Sequence, residues 1–357
     1  MPTTKFNTTI RKKDNGWQVI VSYKTTSGKW KQKSKQGFDQ KWQAKNYAND
    51  IIEKLKNEPI LNTDYKGITL SEFADLYKSD NKSRLTYNTL QAVDSAVKFI
   101  GDIAKQPLKE ITALQLSQKL SNAEGSTATK TLYCSMLNSI FNYAIDPYKI
   151  IANNPVINIK INKRNTHKEL RVYTDDEINL LLSNLKVKYP TYYIQCAIGV
   201  YAGLRYGEVL GLSWTDIDLT NNTLSVRRQL SQYEKNKYKL QETKTANSRR
   251  TIPIPPILSA ILSLYGTFTP ANDMQLLFMQ KSSNTAPINR VIKSYIKGKS
   301  FHDLRHTYAT TLIANGVNIK TVAALLGDTV QTVINNYIHY TDEMRQQAAN
   351  EVANIFG

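Results

Sequence analysis

The sequence is short of several things, and each shortage removes a class of protein. Its 357 residues include two cysteines, Cys134 and Cys196. They are too few and too far apart for a disulfide framework or a thiolate metal site, which fits a reducing compartment. Four histidines leave little material for a histidine-built centre. No apolar stretch approaches the roughly 20 residues that span a bilayer. The polar, basic N-terminus has no apolar run behind it of the kind a secretory leader needs, so a cytoplasmic protein is expected. Acidic residues are also scarce, 29 against 47 Lys and Arg.

That last deficit leaves a formal net charge of +18, which implies a polyanionic partner, nucleic acid first. The charge is concentrated. Residues 1–45 hold eleven Lys or Arg against Asp14 and Asp39, about half of the excess. In the same segment Trp17, Val19, Val21 and Tyr23 alternate, Ser27-Gly28 marks a turn, and a second alternating run follows. A helix over roughly 39–57 places Trp42, Tyr47, Ile51 and Leu55 near helical spacing. One face of so small a sheet can pack on the helix, leaving the lysine-bearing strands free to lie in a DNA groove. Residues 1–60 are thus expected to be a DNA-binding appendage, with Lys12, Lys13, Lys24, Lys29, Lys31, Lys33 and Lys35 as the DNA contacts.

From Ile68 to Ile159 apolar residues recur at three- and four-residue spacing in "TLSEFADLYKS", "LTYNTLQAVDSAVKFIG", "TALQLSQKLSN" and "TATKTLYCSMLNSIFNYAID", which predicts a helical bundle over 66–160 closed by Asn154-Pro155. A basic, non-periodic stretch over 161–172, containing His167, reads as a linker. The last domain, 173–357, opens on a capping pattern, Thr174 with Glu177 three residues on. It continues through a long helix into "GLRYGEVLGL", one small sheet around "NTLSVRRQL" and "KLQETKTANSRRTIPIP", and further helices, one of them stopping at Asn315-Gly316. The fold class expected is multidomain and mainly α, with a small N-terminal sheet plus helix, a helical bundle, and a mostly helical last domain carrying a small antiparallel sheet.

The stretch "FHDLRHTYAT", 301–310, puts His302, Arg305 and His306 on one helix face and Leu304, Tyr308 and Leu312 on another. A zinc site would use His302 and His306, with Asp303 as base and a third ligand such as His339. Arg305 opposes it, since a guanidinium one turn from a divalent cation repels it. A phosphate site uses the same residues better, because Arg offers planar paired donors to phosphate oxygens. These ten residues alone leave both readings open beside that of an ordinary helix with incidental polar groups.

The ordered segments "AGLRYGEVLGL", "TKTANSRRTIPIP", "HDLRHTYAT", "ALLGD" and "NNYIHY" decide it. In order and approximate distance they resemble the tyrosine recombinases, the integrases of phages and conjugative transposons. The resemblance implies the DNA breaking-rejoining fold and a site-specific recombinase that cleaves and rejoins DNA through a 3′-phosphotyrosine, integrating or excising a mobile element without metal, ATP or other cofactor. By its motifs Arg205 and Arg305 match the catalytic arginines, Lys244 the hairpin lysine, His302 the histidine before the second arginine, and Tyr337 the nucleophile, with Tyr340 a nearby rival. Glu208 supports the Arg205 turn. The helical bundle resembles the core-binding domain and the N-terminal sheet the arm-type binding domain. The implied partners are double-stranded attachment-site DNA of core and arm type, further copies of the chain in a homotetramer on DNA, an excision factor and a host DNA-bending protein; no membrane is implied. A catalytically inactive DNA-binding protein on the same scaffold and a zinc hydrolase are the alternatives. The sequence departs from the family at Asp328, where most members carry histidine or tryptophan against the phosphate. A carboxylate there would repel phosphate, so Asp328 is expected to cap the helix that begins near Thr329 instead.

Overall fold

The computed structural model describes residues 5–24, 30–57, 61–62, 64–157, 159, 161, 170–242, 248–267 and 275–337. Lys29, Lys244, His339, Tyr340 and most of the expected linker, with His167, lie outside the described residues. The chain divides into two compact units, Met1–Arg164 and Asn165–Gly357.

The first unit opens with β1 (Phe6–Lys13), β2 (Gly16–Lys24) and β3 (Trp30–Phe38), an antiparallel sheet in that order, followed by α1 (Lys41–Asn57). Strand β1 adds to the two strands that alternation picks out, and Asp14-Asn15-Gly16 supplies its hairpin turn. Val19 and Val21 of β2 pack on Ala44, Ala48 and Leu55 of α1. The register sets Lys31 opposite Tyr23, Lys33 opposite Val21 and Lys35 opposite Val19, so these lysines share the face that carries the helix. The lysines of β3 thus lie on the helix side of the sheet, while Lys13 and Lys24 lie on the other side. Those of β3 nevertheless stay in solvent, since its residues Trp30–Gly37 are all exposed. Lys35 even lies against α1, its Nζ 5.1 Å from the Tyr47 ring centre. The open face of the sheet presents Gln18, Ser22, Gln32, Ser34 and Gln36 with Arg11, Lys13 and Lys24.

Four helices follow, α2 (Leu70–Asp80), α3 (Tyr87–Ile100), α4 (Ala113–Asn122) and α5 (Thr127–Ile145). Each begins on a Ser or Thr, namely Thr69, Thr86, Thr112 and Ser126, whose hydroxyl accepts the backbone N–H three residues on. Those N–H groups otherwise have no partner in a first turn. Their inner faces bury Leu70, Phe73, Ile100, Leu116, Leu137, Ile140 and Phe141.

In the second unit, Thr174 and Glu177 form the expected capping box and start α6 (Asp175–Lys188). Helix α7 (Pro190–Ala202), apolar on nearly all sides, is buried from Ile194 to Val200, as a helix without a polar face must be. It ends in a left-handed Gly203 and leads through Arg205 into the short α8 (Tyr206–Leu210). Where one sheet is expected there are two. Strands β4 (Ile217–Asp218), β5 (Thr223–Val226) and β8 (Arg250–Pro253) form a three-stranded sheet, and β6 (Arg228–Glu234) with β7 (Lys237–Glu242) a separate hairpin. Each stretch that reads as one strand is broken, the first at Arg227. Helices α9 (Pro256–Gly266), α10 (Ala286–Tyr295), α11 (Phe301–Ala314) and α12 (Ile319–Leu326) complete the unit with a last helix, α13, over 330–337. Helix α11 packs on α7 through Phe301 and Leu304. Its other apolar residues, Ala309 and Ile313, join Val322, Ala323, Leu326, Val333 and Tyr337 in a second cluster. One helix thus ties the Gly203–Arg205 turn to the α12–α13 corner.

Candidate active site

Four segments far apart in sequence converge at that corner. Arg305, in the middle of α11, is 3% exposed, so the polar trio of this helix is not all presented to solvent as its spacing suggests. Its guanidinium reaches across to the ends of two other helices, donating through Nη1 to the Gly203 carbonyl at 2.9 Å and through Nη2 to the Leu326 carbonyl at 2.8 Å. Carbonyls at a helix C-terminus have no partner within the helix and carry partial negative charge, so they suit a cation. Gly203 holds φ of +65°, and a β-carbon there would fall 2.3 Å from the Tyr308 ring. Glycine is therefore required both for the turn and for the close passage of α11.

Arg205 follows two residues later. Its backbone N–H donates to Glu208 Oε2 at 3.0 Å and its Nη1 to Glu208 Oε1 at 2.8 Å, the supporting role expected of Glu208. The carboxylate of Glu208 is 2% exposed and is shared with a third arginine. Arg250 pairs with it at 3.0 Å and donates through Nε to the Leu325 carbonyl at 2.7 Å. Burial pushes the Glu208 pKa up, but Arg250, Arg205 and Arg305 outweigh burial and hold it below the usual carboxylate range. Arg250 belongs to this site and is absent from the sequence-based expectation. Its neighbour in the motif "NSRR" offers no local reason to choose it, because its partner Glu208 is 42 residues away.

Asp328 completes the chain of charges. It pairs with Arg205 through Oδ1 and with Arg305 through Oδ2, the latter at 2.6 Å, so a single carboxylate spans the two guanidinia. The expected helix-capping role is incorrect. Thr329 caps α13, accepting the Thr332 N–H at 3.1 Å. Two basic neighbours outbid the weaker dipolar attraction of a helix start. The complete network runs Arg250, Glu208, Arg205, Asp328, Arg305, three cations against two anions.

Beside Arg305 stand the histidines and the candidate nucleophile. His302 is exposed, and the His302 and His306 rings meet edge to face at 4.6 Å. The Tyr337 hydroxyl and His306 Nδ1 share a hydrogen bond of 2.8 Å. Burial and then the neighbouring His302 push the His306 pKa down to about 4, so at neutral pH its ring is uncharged. Tyr337 is 3% exposed, and burial pushes its phenol up to about 12, with Arg305 acting against the rise and Asp328 with it. The structure therefore brings Arg205, His302, Arg305, Asp328 and Tyr337 together, with Glu208, Arg250 and His306 added. Lys12, Lys13, Lys24, Lys31, Lys33 and Lys35 belong to the other unit. Among the described residues no group of three or more His, Cys, Asp or Glu is placed to hold a metal ion. No helix among them is long and apolar enough to cross a membrane.

Chemically, two arginines converging on one anion beside a hydroxyl make a place for a phosphate group next to an oxygen nucleophile. Comparison with known proteins agrees in kind. The phage integrase family matches residues 171–344, and an arm DNA-binding domain matches residues 9–55. A XerC-like tyrosine recombinase of Caldanaerobacter subterraneus is 32% identical over 283 residues, 70% of this chain and 72% of that protein. The ICEBs1 integrase of Bacillus subtilis is 24% identical, covering 71% of this chain and 72% of its own length. Among solved structures, the Tn1549 transposon integrase in complex with transposon right-end DNA superposes with a TM-score of 0.66 at 19% identity, over 79% of this chain and all of that one. A lambda integrase dimer bound to a core site does so at 0.56 and 19%, over 92% of this chain and 93% of that one.

Proposed function

Since the chain belongs to the tyrosine recombinase family and is a site-specific DNA recombinase, we propose that Tyr337 is its nucleophile and that Arg205 and Arg305 hold the scissile phosphate. The observation that carries this is the convergence of both guanidinia on one anion position, in the field of which the Tyr337 phenol also lies.

The chemistry follows from the groups. Attack by the Tyr337 oxygen on phosphorus forms a 3′-phosphotyrosine and breaks the bond to the 5′ oxygen, which leaves as a hydroxyl. Charge grows on the non-bridging oxygens in the pentavalent transition state, and two fixed guanidinia match it. The phenol must lose its proton. His306, uncharged at neutral pH, accepts the phenol hydrogen bond through Nδ1, aims the oxygen and takes its proton as the bond to phosphorus forms. The departing 5′ oxygen needs a proton, and Lys244 supplies it as general acid; His302 donates a further hydrogen bond to the phosphate. Because the phosphotyrosine keeps the energy of the broken ester, the 5′ hydroxyl of a partner strand reverses the step and reseals DNA without ATP.

In this reading residues 1–60 bind arm-type sites through the lysines of the sheet, 66–160 and 173–357 bind and cut the core site, and 161–172 connect them. The working assembly is a homotetramer on DNA, as in the lambda integrase tetramer bound to a Holliday junction. It acts in the cytoplasm of a bacterial host to integrate or excise a mobile element, with an excision factor and a DNA-bending protein as accessory partners. The test is a nicked duplex bearing the attachment site. Wild type forms a covalent adduct on it, and Tyr337→Phe forms none while binding the duplex with near wild-type affinity. Retained adduct in Tyr337→Phe, with loss in Tyr340→Phe, moves the nucleophile to Tyr340.

A further inference from the structure

The phosphate seat of that reading already holds an anion. We propose that Asp328 is an internal surrogate for the scissile phosphate: its carboxylate holds Arg205 and Arg305 at phosphate-accepting separation in the DNA-free protein and is exchanged for the phosphate when DNA docks. The proposal rests on the assignment of the arginine pair as the phosphate site.

Three features single out Asp328 as the group that yields. The first is that every other anchor of the arginines survives its departure. Arg205 remains on Glu208, which Arg250 holds from behind, and Arg305 remains on the carbonyls of Gly203 and Leu326. The second is access. The Glu208 side chain is 2% exposed, whereas Asp328 is 20% and Arg205 36% exposed, so solvent reaches the site on the Asp328 side. The third is a fixed tether. Gly327 ends α12 with φ of +67°, and the Asp328 N–H donates back to the Ala323 carbonyl at 3.0 Å. With its backbone pinned by this helix-end bond, Asp328 enters or leaves the seat by side-chain rotation alone.

Staying in place is not an option once phosphate arrives. The carboxylate would then face the non-bridging oxygens, like charge against like, where the reaction adds more negative charge. The exchange also discriminates among phosphates. A tethered carboxylate competes at high effective concentration, so free inorganic phosphate or a nucleotide is kept out. A phosphodiester brought by a docked duplex uses the binding energy of the whole interface to displace it.

Full-length wild type, Asp328→Asn and the double variant Arg205→Ala/Asp328→Asn are titrated with sodium sulfate against chloride at constant ionic strength, and the unfolding midpoint is followed. A ligand that binds only the folded state raises the midpoint. Asp328→Asn is expected to gain a sulfate-dependent rise beyond that of wild type, and the double variant to lose the gain. On a nicked attachment-site duplex, Asp328→Asn should bind with a log K against log salt slope steeper by about one, because the freed arginines carry a solution anion that DNA expels. Should Asp328→Asn not fold, Asp328→His, which also lacks the negative charge, takes its place. Equal sulfate responses in wild type and the single variant, or an extra response that persists without Arg205, overturn the proposal. Absence of any wild-type adduct on the nicked duplex would instead count against the recombinase chemistry, leaving the sulfate result to stand alone.

Discussion

The two basic regions of this molecule treat their cations in opposite ways. In the N-terminal sheet, among the described residues, no carboxylate forms an ion pair with Lys12, Lys13, Lys24, Lys31, Lys33 or Lys35, and β3 is exposed almost throughout. At the α7–α11–α12 corner every arginine is held by a carboxylate and two of them by helix-end carbonyls as well. Open cations supply long-range, salt-dependent attraction to a polyanion; enclosed ones supply position. The molecule separates affinity from geometry by placing them on different units.

That contrast can be broken at the enclosed end first. Replacing Arg205 by alanine should slow single-turnover adduct formation by roughly 10²–10³, the cost of one transition-state donor, with attachment-site affinity changed far less. A loss of affinity as large as the loss of rate would mean that the corner binds rather than positions. Glu208→Gln should come next. It leaves Arg250 and Arg205 sharing a neutral amide in a buried place, and an unfolding free energy lower by about 3 kcal/mol is expected from denaturant titration.

Acid should act in the same direction with a smaller effect. The His306 pKa is depressed to about 4, burial being the main cause, so the fold favours the neutral ring. That stability is fully present above the ordinary histidine value of about 6.5 and is lost as pH falls from there toward 4. A decline of about 1–2 kcal/mol over this range is expected from linkage, and His306→Gln should flatten it. Glu208, whose pKa is lowered, contributes stability that is lost only at the acid end, as pH falls through its folded-state value. The smallest effect on stability, within about 0.5 kcal/mol, is expected for Lys31, Lys33 and Lys35 changed together to alanine. There the readout is salt dependence on arm-site DNA, its slope falling by about 0.9 for each phosphate that a lysine no longer neutralises. The same experiment with Arg11, Lys13 and Lys24 compares the open face of the sheet with its helix-side rim.

What the sequence discloses and what it hides divide along physical lines. Helix starts are local events, so Thr174 with Glu177 could be read directly, as could the stop at Asn315-Gly316 that ends α11. The β6–β7 hairpin has weaker alternation and turns at Lys235-Asn236, with Asn236 in a left-handed conformation, and it hides inside what reads as a single sheet. Helical spacing placed His302, Arg305 and His306 on a common face but could not say that Arg305 is buried, because burial depends on α7 and α12. The charge network was least legible. Its links join residues 42 and 123 positions apart, and no local period marks such a pairing. Arg250 carries no signal in the sequence for that reason. Asp328 stands out in the sequence only as a departure from a motif, and its partners reverse the role that local helix chemistry suggests.

Gly203 carries a consequence for how this site can change over time. The turn that launches Arg205 also presents the carbonyl that holds Arg305, so one short backbone segment anchors both members of the pair whose guanidinia Asp328 bridges. The cost is evolvability. A β-carbon at 203 would fall 2.3 Å from the Tyr308 ring, so a substitution there must shift the segment that anchors both arginines. The turn at Gly203 and the close passage of α11 are therefore inherited together.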